Sequence, residues 1–238
     1  MDLVTFYDDY WRNKPDIYDQ VRLDIVASYV GTGENVLAVD CGPGVLARQL
    51  ADKGNQVTGA DMSHVAVGRA RDRGLAAFQV DLDTTPLPFA DGSFDTVVSD
   101  SGLEHRYDFG KAFDECVRVL RPGGKLVLLL PNIAHWRCRW WLLTGRFPYV
   151  RNTPTDLTHL RFFTLAEARA LLQARGVRIV RTDGSASLWV PGLYPFFFRW
   201  PGLRQAYTWL ARHWPVAADQ THRLTLHPLP VSPTLRAD

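Results

Sequence analysis

Val36-Leu37-Ala38-Val39-Asp40-Cys41-Gly42-Pro43-Gly44-Val45-Leu46-Ala47 is the stretch whose pattern decides the fold. Four apolar residues read as a buried strand, Asp40 to Gly44 as a tight turn, and Val45 to Lys53 as a helix. Glycines placed directly after a strand let the backbone turn sharply and approach a ligand. The helix that follows points its positive N-terminal end at the same spot. A strand, glycine turn and helix in this order open a parallel α/β sheet.

Outward from that stretch the alternation continues. Gln56 to Ala60 reads as a second strand ending at Asp61, and Ser63 caps a helix that stops near Gly74. Ala76 to Val80 is a third strand ending at Asp81, and Thr96 to Ser99 a fourth. A helix from Lys111 to Leu120 is expected to stop at Pro122-Gly123-Gly124. Lys125 to Leu130 is an almost wholly apolar fifth strand, as a central strand covered on both faces must be. Val177 to Arg181 and Arg223 to Leu226 complete a mostly parallel, seven-stranded, Rossmann-like doubly wound sheet.

The whole chain, 1–238, is expected to be a single domain. Within it, 1–34 forms an N-terminal helical cap and 35–132 the ligand-binding core. The segments 133–164 and 184–220 are aromatic-rich insertions on the acceptor side, and 228–238 is a tail. The formal net charge of +2, with arginines scattered rather than in blocks, gives no footprint for nucleic acid. Three cysteines without C-x-x-C or zinc-like spacing predict a reduced protein and no metal. The amino terminus lacks basic and apolar signal regions and no apolar run is long enough to span a bilayer, so the expected location is the cytoplasm.

Ligands of open α/β sheets sit at the carboxyl ends of the strands. Asp40, Gly42, Gly44, Asp61 and Asp81 all fall at such ends, and an acidic side chain ending the second strand suits the two hydroxyls of a ribose. A nucleoside ligand follows. Gly42 to Ala47 formally satisfies G-x-G-x-x-[GA] with Asp61 about 20 residues on, so a nicotinamide dinucleotide is a rival on this turn alone.

Further segments resolve the rivalry. Gly59-Ala60-Asp61-Met62-Ser63 is followed by Asp81-Leu82, by Leu87-Pro88-Phe89-Ala90-Asp91-Gly92-Ser93-Phe94-Asp95, and by Arg118-Val119-Leu120-Arg121-Pro122-Gly123-Gly124. With the opening stretch they resemble the class I S-adenosylmethionine-dependent methyltransferases over roughly residues 35 to 132. The runs His135-Trp136-Arg137, Gly145-Arg146-Phe147-Pro148 and Asp156-Leu157-Thr158-His159 look like the MetW-like branch of small-molecule methyltransferases.

The resemblance implies S-adenosylmethionine as cofactor. Gly42 and Gly44 would lie against its methionine part, Asp61 would hold the ribose, and Met62 would face the adenine. Asp81 would accept from the adenine amino group beside the Leu82 backbone, and Ser99 would sit near the transferred methyl. Apart from the resemblance, Tyr7, Tyr10 and Trp11 suit either a helix that folds over the cofactor or packing on the core, and Tyr10 joins the candidate set. The family usually has an acidic residue at position 38 and a glycine at 40. Here Ala38 and Asp40 stand there, and because residues two apart on a strand share a face, Asp40 is expected to take over the missing contact.

Oxygen or nitrogen methylation also needs a base, for which His105, and His159 with Asp156, are the candidates. The acceptor is expected to be a small, partly apolar molecule. The aromatic insertions suit an acceptor pocket or a homodimer interface. A non-catalytic partner protein is the competing role, and a nicotinamide oxidoreductase the more distant one.

Overall fold

The computed structural model describes residues 2–15, 18–184, part of the segment 202–213, and the backbone of 224–228. Short polar side chains start its helices. Asp2 caps α1 (Leu3–Asn13), Asp19 caps α2 (Gln20–Ala27) and Ser63 caps α4 (His64–Asp72). Asp108 caps α5 (Phe109–Arg118) and Thr164 caps α7 (Leu165–Ala174), each oxygen accepting an otherwise unpaired first-turn N–H. α3 (Val45–Asp52) begins at Gly44 in the left-handed conformation, and α6 (Trp136–Leu143) lies in the first insertion.

The strands are β1 (Asn35–Val39), β2 (Gln56–Asp61), β3 (Ala76–Gln79), β4 (Phe94–Asp100), β5 (Leu120–Leu129), β6 (Val177–Arg181) and β7 (Leu224–Pro228). They form one seven-stranded sheet in the order β3-β2-β1-β4-β5-β7-β6. β1 to β5 run parallel, while β7 is antiparallel to both β5 and β6. The order reverses between β1 and β4, which opens a crevice at their carboxyl ends.

Alternation along β1 shows how the sheet buries both faces. Leu37 and Val39 pack with Phe113, Leu126 and Leu128 on the α5 and α7 side. Val36 and Ala38 pack with Leu23, Leu50, Val67 and Leu129 on the α2, α3 and α4 side. The sheet is therefore a rigid plate whose strand ends hold the crevice residues in place.

One boundary differs from expectation. α5 ends at Arg118 and β5 begins at Leu120, so Pro122-Gly123-Gly124 lies inside a strand. The register shifts between the pairs Phe94–Leu120 and Thr96–Lys125. That bulge accommodates a proline without an N–H and Gly123 at φ 77°. Most of the 184–220 insertion, including Trp189, Tyr194, Trp200 and Trp214, lies outside the described residues, as does the tail beyond Pro228. No helix among the described residues is long and apolar enough to cross a membrane.

Candidate active site

The crevice is built around one buried carboxylate. Asp61 Oδ2 accepts from the Gly42 N–H (2.8 Å) and Oδ1 from the Ser63 N–H (2.9 Å), tying the glycine turn to the end of β2. Burial pushes the Asp61 pKa up to about 6, against the lowering effect of those N–H groups. Gly42 and Gly44 have φ of 53° and 79°, where side chains are strained. A Cβ on Gly44 would come within 2.7 Å of Leu75 and 3.0 Å of Ala70 Cβ, so the turn needs glycine there for packing as well.

Asp40 behaves differently from the expectation. β1 ends at Val39, and Asp40 has φ 52°, so strand alternation does not extend to it and it does not share a face with Ala38. Its carboxylate lies under Gly102 and is paired with Arg106. Arg106 also donates from Nη1 to Asp81 Oδ1 (3.2 Å). One guanidinium, 2% exposed and with its pKa lowered by burial to about 10, thus spans the crevice from β1 to the end of β3. Asp81 is further held by the Asp83 N–H and the Thr84 hydroxyl.

Helix α1 covers this region. The Trp11 ring lies so close to Gly42 that a Cβ there would be 2.8 Å from it, and Tyr7 meets the His105 ring edge-on at 6.1 Å. Asp8 Oδ1 accepts from the Ser63 hydroxyl (2.6 Å) and the Val65 N–H (3.2 Å), docking α1 on the start of α4. Tyr10 faces Lys14, whose Nζ donates to its hydroxyl at 2.6 Å. Of the aromatic residues of α1, Trp11 and Tyr7 are thus the ones that reach the glycine turn and His105.

Met62 and Leu82 are buried, the side chain of Leu82 within the core. Ser99, paired with Val39 across β1 and β4, has a fully buried hydroxyl with no hydrogen-bond partner. A buried hydroxyl left without a partner is rare in folded proteins.

The three proposed proton-transfer residues gather at the crevice's far side. A single 3-10 turn, Leu103–His105, follows β4 and is laced to the segment 154–161, since Leu160 N and Arg161 N both donate to the Glu104 carbonyl. His105 Nδ1 bonds the Thr158 carbonyl (2.9 Å) and His159 Nδ1 the Pro154 carbonyl (3.2 Å). The two rings lie 4.8 Å apart. Asp156 does not touch them directly. Its oxygens accept from Asn152 N, Thr158 N and Thr158 Oγ1, which shapes the turn that delivers His159. Burial, then the neighbouring His159, lowers the His105 pKa to about 4. Nothing local in the sequence marks Arg106 or Asp8, whose partners lie 66 and 55 residues away.

A family model described as a methyltransferase domain matches residues 37–128, which contain the glycine turn, Asp61, Asp81 and Ser99. A probable S-adenosylmethionine-dependent methyltransferase of Mycolicibacterium smegmatis is 31% identical over 180 residues, 74% of this chain and 63% of that protein. A demethylmenaquinone methyltransferase of Mycobacterium marinum is 36% identical over 51% of this chain and 48% of its own length. The chain thus spans about half to two thirds of these relatives. Among solved structures, magnesium protoporphyrin IX methyltransferase from Synechocystis with bound S-adenosylhomocysteine superposes with a TM-score of 0.59 at 20% identity, over 78% of this chain and 90% of that one.

Residues 37–128 thus match a methyltransferase domain, and the chain has the fold of the class I S-adenosylmethionine-dependent methyltransferases. The crevice fits that cofactor on its own chemistry: a left-handed glycine turn, a buried carboxylate ending β2, a second acid after β3, and the orphaned hydroxyl of Ser99.

Proposed function

We propose that this protein transfers a methyl group from S-adenosylmethionine to an oxygen or nitrogen of a small, partly apolar molecule in the cytoplasm. The observation that carries the reading is the convergence of Gly42, Asp61, Asp81 and the unsatisfied Ser99 at the switch between β1 and β4.

When bound, S-adenosylmethionine supplies a methyl group already activated on a positively charged sulfur. The chain's task is alignment and proton removal. Asp61 would hold the ribose hydroxyls, Met62, Asp81 and the Leu82 backbone would frame the adenine, and the glycine turn and Ser99 would face the methionine part. Engagement of Asp81 would require its bond from Arg106 to open, and α1 with Trp11 and Tyr7 would exclude water. The acceptor's proton leaves toward the cluster of Glu104, His105 and His159, with Asp156 positioning His159.

On the acceptor side, the segment 133–164 exposes Trp136, Trp140, Leu143, Phe147, Tyr149 and Phe162, which suits an apolar acceptor. One of the relatives is named for demethylmenaquinone. A second reading, a non-catalytic partner protein, is favoured by one feature, the closure of the crevice by Arg106.

Calorimetric titration with S-adenosylmethionine, S-adenosylhomocysteine and NAD separates these. Micromolar binding of the first two and none of NAD is expected, followed by label transfer to members of a quinol, phenol and amine panel. A chain that binds neither adenosyl compound is not this enzyme, and the partner reading then stands.

A further inference from the structure

Among the described residues, Glu104 is the one whose two side-chain oxygens are both buried without a hydrogen-bond partner. The residue as a whole is fully buried. A buried carboxyl left this way costs several kcal/mol unless something compensates it. Its Oε1 lies 3.9 Å from His105 Nε2 and 3.9 Å from His159 Nε2, too far for hydrogen bonds and placed between the two.

The histidines are oriented in a specific way. A backbone carbonyl only accepts, so Thr158 and Pro154 require each Nδ1 to carry the proton. Each neutral ring then turns the bare lone pair of Nε2 toward Glu104. Nδ1–H bonded to a carbonyl with Nε2 free is how proteins prepare histidine for a metal. The donor atoms of Glu104, His105 and His159 all lie within 4.8 Å of one another. Three ligands around one ion at about 2.1 Å need separations of about 3.0–3.4 Å, which small side-chain rotations supply.

We propose that Glu104, His105 and His159 bind a divalent first-row transition ion. Two neutral imidazoles and one carboxylate are a donor set for zinc, manganese or iron(II), and three protein ligands leave positions open for an exogenous oxygen. The ion ends the isolation of the Glu104 carboxylate, and Asp156 acts as a positioning residue by holding the turn that carries His159. Glu104, His105 and His159 are the side chains that the proposed function offers as proton acceptors, so the inference rests on that reading, while its test reads metal binding alone and fails separately from cofactor binding. The expectation of no metal rests on cysteine spacing, which does not register that residues 104, 105 and 159 meet.

The test uses the full chain without an affinity tag, stripped with chelator and titrated with Co2+ and Zn2+. One equivalent is expected to bind, with a visible Co2+ absorption band, and two imidazole Nε2 resonances are expected to move in the 15N spectrum with Zn2+. Glu104→Gln and His159→Gln should each weaken binding at least tenfold, with folding checked by circular dichroism. Absence of stoichiometric binding by the parent protein overturns the proposal. So does binding that both variants retain, or a spectrum in which no pair of Nε2 resonances moves, and the latter holds even where a variant fails to fold.

Discussion

Asp61 is asked to be ionised in a place that disfavours ionisation. Burial lifts its pKa from 3.8 to about 6, so the folded protein prefers the protonated acid. The stability this gives is fully present below about 3.8 and is lost as pH rises through about 6. Ligand binding has the opposite sign, because accepting from two ribose hydroxyls needs the carboxylate. S-adenosylhomocysteine affinity is therefore expected to be level above pH 7 and to fall by up to tenfold per unit below about 6. Asp61→Asn should bind more weakly at pH 8 and show a flat profile between pH 5 and 7. Calorimetry at four pH values checks this, and a flat profile in the parent protein would remove Asp61 from the ribose site.

At the same scale, legibility follows distance along the chain. Asp61, Gly42 and Gly44 stand at the ends of strands that the apolar pattern defines, so their neighbourhood is written locally. Arg106 is not. It meets Asp40 and Asp81 across 66 and 25 residues, and its sequence context of Glu104 to Tyr107 marks it as an ordinary loop arginine. The face of Asp40 was misjudged for a related reason, since alternation holds only while the backbone is extended and β1 stops one residue earlier.

Helix α1 is an element held without a core. None of its described residues is buried, although Trp11 and Tyr7 abut the crevice. Its attachment is polar: Asp8 to Ser63 and Val65 at one point, and Arg69 to the carbonyls of Trp11 (2.6 Å) and Lys14 (3.3 Å) at its end. Such contacts contribute about 1 kcal/mol each and open more readily than packed apolar surface. Asp8→Ala should therefore raise both the association and dissociation rate constants of S-adenosylhomocysteine by about three- to tenfold while shifting the melting temperature little. Stopped-flow intrinsic fluorescence, compared with that of a Trp11→Phe variant because the chain has 8 tryptophans, reports both rates, and unchanged rates would mean that α1 does not gate the crevice. That the amino-terminal segment is helical can be read from the sequence. Where it docks cannot, because the deciding bond joins residues 8 and 63.

Across the whole molecule, chemistry and stability are placed at opposite ends of one sheet. The carboxyl ends of β1 to β4 carry strained glycines, an unsatisfied Ser99 and a buried Arg106 between two acids. The amino ends carry a fully satisfied network. Glu34, just before β1, accepts from the Gly31 N–H (2.9 Å) and Lys125 Nζ (2.6 Å) through Oε1, and from Thr96 Oγ1 (2.5 Å) through Oε2. It thereby joins β1, β4 and β5. Burial raises the Glu34 pKa, but the bonds from Lys125 and Thr96 outweigh it and hold the carboxyl below its ordinary 4.5. A depressed carboxyl pKa contributes stability that is present above that ordinary value and lost as pH falls below it. Glu34→Gln is thus expected to cost about 1–2 kcal/mol at pH 7, with the difference from the parent shrinking in acid. Its cofactor affinity should be unchanged, because the substitution lies a full strand length from Asp61 and leaves the glycine turn intact. Urea unfolding at pH 7 and pH 4, beside one calorimetric titration, measures both. Equal losses of stability at the two pH values would show that the ion pair is not the source. A fall in affinity would show instead that the sheet transmits strain from its base to its crevice.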